Sequence, residues 1–215
     1  MVQDSRQAGA ATYLPSKLSL SQLRAAARSC EGCDLYRNAT QTVFGEGPAR
    51  ARLMLIGEQP GDVEDREGKP FVGPAGKLLL RALTDLGVER RTVYLTNAVK
   101  HFRWKATDRG HRRIHQTPAA RHVRACRPWL LAEVAVVRPE VAVVLGAIAA
   151  KAVLGDDFRL TQARGTRLDW PAESQTGELA VFATVHPSAV LRAPDRDAGY
   201  RDFVQDLSVA VAALS

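Results

Sequence analysis

Four short apolar runs constrain the fold of this chain more than any other feature. Each is short and mainly apolar, which is typical of a strand buried on both faces of a sheet. Helical patterns lie between the runs, so the connections predict right-handed crossovers and parallel strands. The runs are Leu53–Gly57, Val93–Asn97, Val141–Leu145 and 179–184. The sequence therefore predicts a three-layer α/β/α fold with a central four-stranded parallel sheet.

The helices around these runs have recognisable ends. They are predicted over 20–29, 74–86, 117–138, Ala147–Leu154 and 197–214. Gly87 and Gly155 follow two of them, and glycine suits a left-handed C-cap. Thr117 is the expected N-cap of the third helix, and Pro128 is expected to interrupt it.

The length of 215 residues allows one well-buried domain, predicted over 17–215. The first 16 residues lack apolar periodicity and are expected to form a flexible terminus. They also lack the apolar run of a signal peptide, and no stretch of the chain is long and apolar enough to span a membrane. The chain is therefore expected to be cytoplasmic, with no membrane partner.

A basic segment over 100–118 follows the second apolar run and contains three histidines. Between Lys100 and Arg127, nine Lys or Arg residues are opposed by Asp108 alone, and the whole chain has a formal charge of +7. This balance favours an anionic partner, and nucleic acid over a membrane surface because no long basic amphipathic helix is present. A solvated basic surface is the alternative at this point.

Polar motifs follow all four apolar runs. They are the segments 57–62, 96–101 and 185–188, together with Gly146. Because ligands of open parallel sheets bind at the carboxyl ends of the strands, these loops are expected to form one site.

Two common motifs are excluded by single residues. The segment 73–77 resembles a phosphate-binding loop, but Leu78 replaces the Ser or Thr that would hold magnesium, so a nucleotide triphosphate is not expected. Ser188 lacks the flanking glycines of a nucleophile elbow.

The chain has three cysteines, two of them in the motif Cys30-Glu-Gly-Cys33. Three cysteines cannot form a closed set of disulfides, and the CxxC pair follows a helical pattern instead of starting one after a strand. We therefore predict metal binding in preference to redox chemistry.

Taken together, these motifs resemble a known family. The segments GEQPGDVED (57–65), GKPFVGPAGKLL (68–79), TNAVK (96–100) and TVHPS (184–188), with the CxxC pair, are similar to the iron–sulfur family 4 enzymes of the uracil-DNA glycosylase superfamily. The resemblance covers about 20–214. Gln59 and the segment 112–115 resemble more narrowly the UDGX branch, whose members become covalently joined to uracil-containing DNA through a histidine.

The resemblance implies roles for three residues that would contact the base. A glycosylase must extrude the nucleotide or act on single strands, and reads the base by its edge. Phe71 would stack on uracil, and Asn97 would pair with its edge because an amide both donates and accepts. His186 would donate a hydrogen bond to a uracil carbonyl oxygen as negative charge develops there.

The resemblance also implies the groups on the sugar side. His115 would capture C1′ in place of water, and Glu58 is the candidate base that accepts its proton. Gln59 and Asp62 would arrange the same pocket. Other basic residues would steady the loop or contact DNA phosphates in a salt-sensitive way. They are Lys100, Arg103, Lys105, Arg109, Arg112 and Arg113.

For the metal, Cys30, Cys33 and Cys126 would supply three ligands. His101 stands where family 4 has a fourth cysteine, and imidazole replaces thiolate at iron in Rieske centres. The resemblance favours a structural 4Fe-4S iron–sulfur cluster, while the Cys₃His set alone would suit zinc equally well.

The expected function is a DNA glycosylase that excises uracil, with single strands preferred, and remains attached to the sugar through His115 after one turnover. A family 4 enzyme that releases free uracil and leaves an abasic site is the first alternative. A non-catalytic, metal-containing nucleic-acid-binding domain is the second.

Overall fold

The computed structural model describes residues 9–107, 112–171 and 179–214. Its strands are β1 (Leu53–Gly57), β2 (Val93–Asn97), β3 (Trp104–Ala106), β4 (Arg113–His115), β5 (Val141–Leu145), β6 (Arg167–Asp169) and β7 (Ala180–Thr184). Its helices are α1 (Leu20–Ala27), α2 (Asp62–Glu67), α3 (Pro74–Asp85), α4 (Ala120–Val137), α5 (Ala147–Leu154), α6 (Leu160–Ala163), α7 (Pro187–Leu191) and α8 (Arg196–Ala212).

A five-stranded sheet lies at the centre, in the order β2-β1-β5-β7-β6. The first four strands are parallel, which confirms the predicted sheet. The fifth, β6, adds an antiparallel edge that the sequence analysis did not identify. It has only three residues and pairs on one side, so it lacks the continuous apolar run of a strand buried on both faces.

Helices cover both faces of the sheet, as the apolar runs require. Successive strand side chains point to opposite faces. One set, including Leu55 and Val143, packs with α3 and α8. The other, including Ile56 and Val144, packs with α4 and α5. The predicted three-layer α/β/α architecture is therefore confirmed.

Helix α4 differs from its predicted form. It begins at Ala120, three residues after Thr117, and Ala119 donates its backbone N–H to Nδ1 of His122. It also continues through Pro128 without a break, so the expected interruption is wrong. Buried side chains on both sides of the proline, such as Cys126 and Trp129, hold the helix against the body and outweigh the loss of one backbone hydrogen bond.

The N-terminal region is more ordered than the sequence indicates. A 3-10 turn covers Ala10–Tyr13, and Ala10 is fully buried. The backbone at Gly9 and Ala10 lies so close to Gly32 that a side chain there would clash. The flexible terminus predicted for 1–16 is therefore wrong for this turn, and residues 1–8 lie outside the described part of the chain. Within that part, no helix is long and apolar enough to cross a membrane.

Candidate functional site

The polar loops meet at the carboxyl edge of the sheet. Gly57 at the end of β1 is in register with Asn97 at the end of β2, and Leu145 of β5 is in register with Thr184 of β7. The backbone N–H of Val99 donates to the carbonyl of Glu58, which ties the first two loops together. We refer to this part of the carboxyl edge, where Glu58, Phe71, Asn97 and His186 lie at or after the ends of strands, as the cleft.

An aromatic ring and an amide converge at one point of the cleft. A Cβ atom placed on Gly57 would lie 2.4 Å from Oδ1 of Asn97 and 2.7 Å from Cζ of Phe71. Glycine is therefore the residue that lets both groups approach the strand. Phe71 is buried and has a φ of 58°, a left-handed conformation rare for an aromatic residue. The fold thus holds this ring in a strained position, as occurs at binding sites.

The segment that resembles a phosphate loop holds Phe71 in place. A Cβ atom on Gly76 would lie 2.0 Å from the carbonyl oxygen of Phe71, so α3 begins directly against that backbone. Glu64 accepts hydrogen bonds from the backbone N–H groups of Gly61 and Gly73, at 3.1 and 2.8 Å. This carboxylate links the loop after β1 to the start of α3. The sequence analysis did not identify Glu64.

His186 presents one nitrogen as a hydrogen-bond donor. It is the N-cap of α7, and its Nδ1 accepts from the backbone N–H of Ser188 at 3.2 Å. Burial, and to a lesser extent the nearby His115 and Arg192, lower the pKa of His186 to about 4. The ring is therefore neutral at pH 7 with its proton on Nε2. This is the form that can donate to an oxygen on which negative charge develops.

Glu58 is a half-buried carboxyl group with one buried, unused oxygen. Its side chain is 20% exposed, and Oε1 has no hydrogen-bond partner among the described residues. Burial raises the pKa of Glu58 to about 7, although Arg192 opposes the rise. A carboxyl group that titrates near neutral pH can act as a general base.

His115 lies next to this carboxyl group. Its Nε2 is 3.6 Å from Oε1 of Glu58, slightly longer than a hydrogen bond. Burial and then Arg192 lower the pKa of His115, so its ring is neutral near pH 7. Its side chain is still 48% exposed, which leaves it open to a molecule that enters the cleft.

A short hairpin formed by β3 and β4 carries His115. Gln59 fixes the base of this hairpin, since its amide donates to the carbonyls of Arg103 and Gln116 at 3.2 and 3.1 Å. Its oxygen accepts from the N–H of Arg103 at 3.1 Å. Gln59 is buried, so its amide joins both ends of the hairpin to the loop after β1 and positions His115.

Arg113, which pairs with Ala106, fixes the same hairpin at the end of the strand pair opposite Gln59. Its guanidinium donates to Asp62 and, at 2.6 Å, to the buried carboxylate of Asp65. It also lies 5.4 Å from the ring centroids of both Phe102 and Trp104. These contacts hold Arg113 against the body, as expected of a residue that steadies the loop, and place Asp62 in ion pairs with Arg113 and Arg66.

Lys100 does not reach the cleft, and its expected role in substrate binding is corrected here. It is fully buried, and its Nζ donates to Glu133 at 2.5 Å, to Thr96 at 2.7 Å and to the carbonyl of Asn97 at 2.6 Å. A lysine this deeply buried needs such partners, because a lone charge in the interior is very unfavourable. The sequence did not show that Glu133, on α4, is the partner.

Among the remaining basic residues, Lys105 and Arg112 are exposed on the hairpin, and Arg103 donates to the carbonyl of Thr117 at 2.5 Å. Arg109 lies outside the described residues.

Arg192 is a charge that the sequence analysis missed. It caps the C-terminal end of α7, and its charge lowers the pKa of Glu58, of His115 and of His186. Its place six residues after His186 could have indicated it.

The three cysteines share one buried apolar cluster between α1 and α4. Sγ of Cys30 accepts from Nε1 of Trp129, and Sγ of Cys126 accepts from the N–H of Lys100, both at 3.2 Å. Burial raises the pKa of Cys33, and raises that of Cys126 to about 12, so both are thiols unless a metal binds.

His101 is buried beside Thr42. The Thr42 hydroxyl donates to the carbonyl of Ala27 at 2.8 Å, so it accepts the hydrogen bond from Nε2 of His101 at 2.9 Å. This leaves Nδ1 of a neutral ring as the nitrogen that could bind a metal. Three thiols and an imidazole fit a soft metal centre by their chemistry. Within the described ranges, however, no three His, Cys, Asp or Glu side chains are gathered closely enough to hold a metal ion.

Comparison with known proteins agrees with this geometry. The model of the uracil DNA glycosylase superfamily matches residues 44–208. A type-4 uracil-DNA glycosylase from Sulfurisphaera tokodaii is 36% identical over 182 residues, which cover 82% of this chain and 78% of that protein. The type-4 enzyme from Thermotoga maritima is 37% identical over 166 residues, with 77% and 79% covered. A type-5 uracil-DNA glycosylase from Pyrobaculum aerophilum is 31% identical, with 66% and 63% covered. The chain therefore belongs to the uracil DNA glycosylase superfamily.

Proposed function

We propose that this chain removes uracil from DNA by breaking the bond between C1′ of the deoxyribose and N1 of the base. The type-4 relatives carry this activity in their names. The observation that carries the proposal is the convergence of Phe71 and Asn97 on Gly57, directly before Glu58 in the chain, whose Oε1 has no hydrogen-bond partner among the described residues. A ring, an amide and a base are the groups that such a reaction needs.

Recognition of the base uses one face of the cleft. The nucleotide leaves the base stack and enters the cleft, where Phe71 stacks on uracil and Asn97 pairs with its edge. When the C1′–N1 bond breaks, its electron pair stays with uracil. His186 then donates a hydrogen bond from its Nε2–H group to the uracil carbonyl oxygen that gains negative charge.

The sugar side is completed by a nucleophile. The similarity to the type-4 relatives supports a hydrolytic reaction. In it, water bonds to C1′ while Glu58 accepts a proton from that water. The products are free uracil and an abasic site. Because Glu58 must be ionised to act, the rate is expected to rise with pH through about 7.

Covalent capture by His115 is the second candidate. It is supported by the separation of 3.6 Å between Nε2 of His115 and Oε1 of Glu58. One ring nitrogen would bond to C1′ as uracil departs, and the proton of the other would pass to Glu58. Such a protein would act once and stay attached to the DNA, as the UDGX resemblance implies.

We also propose that Cys30, Cys33, Cys126 and His101 hold a 4Fe-4S cluster. When bound, it would supply a structural link that ties α1 and the loop after β2 to α4. The protein is then expected to be brown with broad visible absorption. A colourless protein with stoichiometric zinc after anaerobic purification would contradict this assignment.

The central experiment measures uracil release from an oligonucleotide with one deoxyuridine, beside the same oligonucleotide with thymine. We expect release from the first alone, and lower release from Asn97→Ala and Gly57→Ala, since the added methyl of the second displaces Asn97 and Phe71. Equal affinity for both oligonucleotides without release would favour a non-catalytic binding domain. A single-stranded and a duplex form of the substrate test the expected preference for single strands.

The nucleophile is tested separately. More than one uracil released per protein molecule supports hydrolysis. A slowly migrating species in denatured samples, located at residue 115 by mass spectrometry and absent from His115→Ala, supports covalent capture. In that case His115→Ser is expected to admit water and release an abasic product. If His115→Ala still forms the species, the histidine assignment is wrong.

A further inference from the structure

Asp206 of α8 is a polar side chain within an apolar layer of the molecule. Its neighbours on the same helix, Phe203, Leu207 and Ala210, are buried in the core that covers this face of the sheet. The side chain of Asp206 is only 13% exposed, so it has lost most of its contact with water. A carboxyl group in such a place needs hydrogen-bond donors. The groups that donate to it therefore indicate its role.

Two donors reach Asp206 at the carboxyl end of β7. Oγ1 of Thr184, the last residue of that strand, donates to Oδ2 at 2.5 Å, and Nε of Arg164 donates to the same oxygen. Gly165 approaches the other oxygen so closely that an added Cβ atom would lie 2.9 Å from it. The N–H of Gly165 donates to the carbonyl of Ala183 at 2.9 Å. Asp206 thus ties the end of β7 to α8 and to the segment before β6.

The end of β7 in turn sets the place of His186. Thr184 is fully buried, and its carbonyl accepts from the N–H of Gly146 at 2.8 Å. Gly146 has a φ of 90° and lies against the histidine, because an added Cβ atom would come within 2.9 Å of Cβ of His186. A shift of Thr184 would therefore move both the backbone that leads to His186 and the glycine against which it lies.

We propose that Asp206 is a positioning residue that, through Thr184, aims Nε2 of His186 at the uracil carbonyl oxygen. This inference rests on the proposed function. The hydrogen bond from His186 strengthens as negative charge develops on the departing base, so its geometry must suit the transition state. A displacement of about 1 Å in a catalytic group can cost about 10²-fold in rate. Asp206 is expected to act on the reaction only through the strand that it holds.

The test removes the Thr184 hydroxyl and measures uracil departure at saturating protein in a single turnover. This step is common to hydrolysis and to capture by His115. Thr184→Val keeps the shape of the side chain but cannot donate. We expect departure to slow by about tenfold while DNA affinity changes by less than about twofold. Thr184→Ser keeps the donor and should keep most of the rate, whereas Asp206→Leu removes the acceptor and should slow departure at least as much as Thr184→Val.

Tyr200→Phe is the matched control. Tyr200 also lies on α8, and its hydroxyl donates to Asp85 of α3 at 2.6 Å. Its loss should lower the free energy of unfolding without changing the rate of uracil departure. Urea denaturation of each variant separates the stability of the fold from the rate. If Tyr200→Phe slowed departure as much as Thr184→Val, any weakening of α8 would have this effect, and the positioning role would be overturned.

A better leaving group shows whether the effect passes through His186. In 5-fluorouracil the fluorine withdraws electrons, so the departing base needs less stabilisation from a hydrogen bond. The loss caused by Thr184→Val should therefore shrink from about tenfold with uracil to about threefold or less with 5-fluorouracil. In a His186→Ala background, Thr184→Val should cause no further loss, because residues that act through one group are not additive.

The outcomes distinguish the positioning role from the proposed function. A wild type that releases no uracil overturns the proposed function, and the role of Asp206 with it. If the wild type releases uracil, the positioning role alone is overturned by a Thr184→Val loss that is equal for both bases, or that adds to the loss in His186→Ala. It is also overturned by a Thr184→Val variant as fast as the wild type, or by a Thr184→Ser variant as slow as Thr184→Val.

Discussion

Two glutamates in this protein, Glu133 and Glu58, have opposite surroundings. Glu133, on α4, is fully buried, and its carboxylate bonds Lys100, Thr96, the Tyr94 hydroxyl and the N–H of Gly45. Glu58 is half-buried, and its buried Oε1 has no hydrogen-bond partner among the described residues. A buried carboxyl group without partners destabilises a fold unless it takes up a proton.

The comparison distinguishes a carboxylate that stabilises the fold from one that is available for a reaction. Glu133 is surrounded by donors that occupy both of its carboxylate oxygens and keep it fixed, so it has no capacity left for a reaction. Glu58 is held near neutrality by burial, with a pKa of about 7 and a histidine 3.6 Å away. Groups that keep an unused oxygen and a perturbed pKa in a cleft are candidates for catalysis.

The largest expected effect comes from removing the charge at Glu58. Glu58→Gln is nearly isosteric but cannot accept a proton, so uracil release should fall by about 10² to 10⁴-fold. Its free energy of unfolding at pH 7 should not fall, since an unpartnered acid is replaced by a neutral amide. Single-turnover kinetics and urea denaturation measure the two quantities, with Glu67→Gln, at an exposed position, as control. A Glu58→Gln variant that is less stable than the wild type but equally active would contradict the assignment of Glu58 to the reaction.

Breaking the hydrogen-bond network of Glu133 should lower the stability of the fold and leave uracil release nearly unchanged. Glu133→Ala leaves the ammonium of Lys100 buried without its partner and should cost about 3–5 kcal/mol of stability. Uracil release per folded molecule should stay near that of the wild type. The double variant Lys100→Met/Glu133→Leu should recover much of the stability in urea denaturation. A loss as large in the double variant as in Glu133→Ala would show that the charge pair is not the cause.

The stability of the wild type should depend on pH through Glu58. In the unfolded chain its carboxyl group ionises near 4.5, whereas in the folded chain burial keeps the proton until about pH 7. The folded state therefore binds more protons in this window, and stability falls as pH rises from about 4.5 to about 7. Relative to Glu58→Gln, the fall should be of the order of 3 kcal/mol and should level off above pH 7. Urea denaturation of both proteins across this range measures it, and a constant difference would contradict it.

The smallest expected effect is that of Arg192. Its charge lowers the pKa of Glu58, of His115 and of His186. Arg192→Ala should raise all three, so that Glu58 ionises and the imidazoles become neutral only at higher pH. The rising limb of the uracil-release profile should therefore move to higher pH, with a change below about tenfold at any one pH. An unmoved limb with a lower plateau would instead indicate a contact with DNA.

Much of the architecture could be predicted because the apolar runs are nearly continuous. Strands buried on both faces need apolar residues at every position, and all four parallel strands are found where the runs indicate. The route of α4 through Pro128 could not be predicted from residue preferences, since the buried residues Cys126 and Trp129 hold the helix in place.

The candidate site could be predicted only in part, because local motifs show which residues follow the strands but not which distant residues become their partners. The motifs at the strand ends indicated Glu58, Asn97 and His186, because parallel strands bring their carboxyl ends to one edge. A charge count treated Lys100 as a surface cation. Its burial depends on Glu133, 33 residues away in the chain.

The sequence by itself determined the four parallel strands, the edge at which the polar loops meet, and the superfamily, because these follow from local patterns of residues. Tertiary structure alone decided which polar groups are satisfied. Lys100 and Glu133 neutralise each other in the interior, Arg113 is held by Asp62 and Asp65, and one oxygen of Glu58 is left open beside His115. Whether a buried charge is stable or reactive depends on partners that only folding brings within a few ångströms.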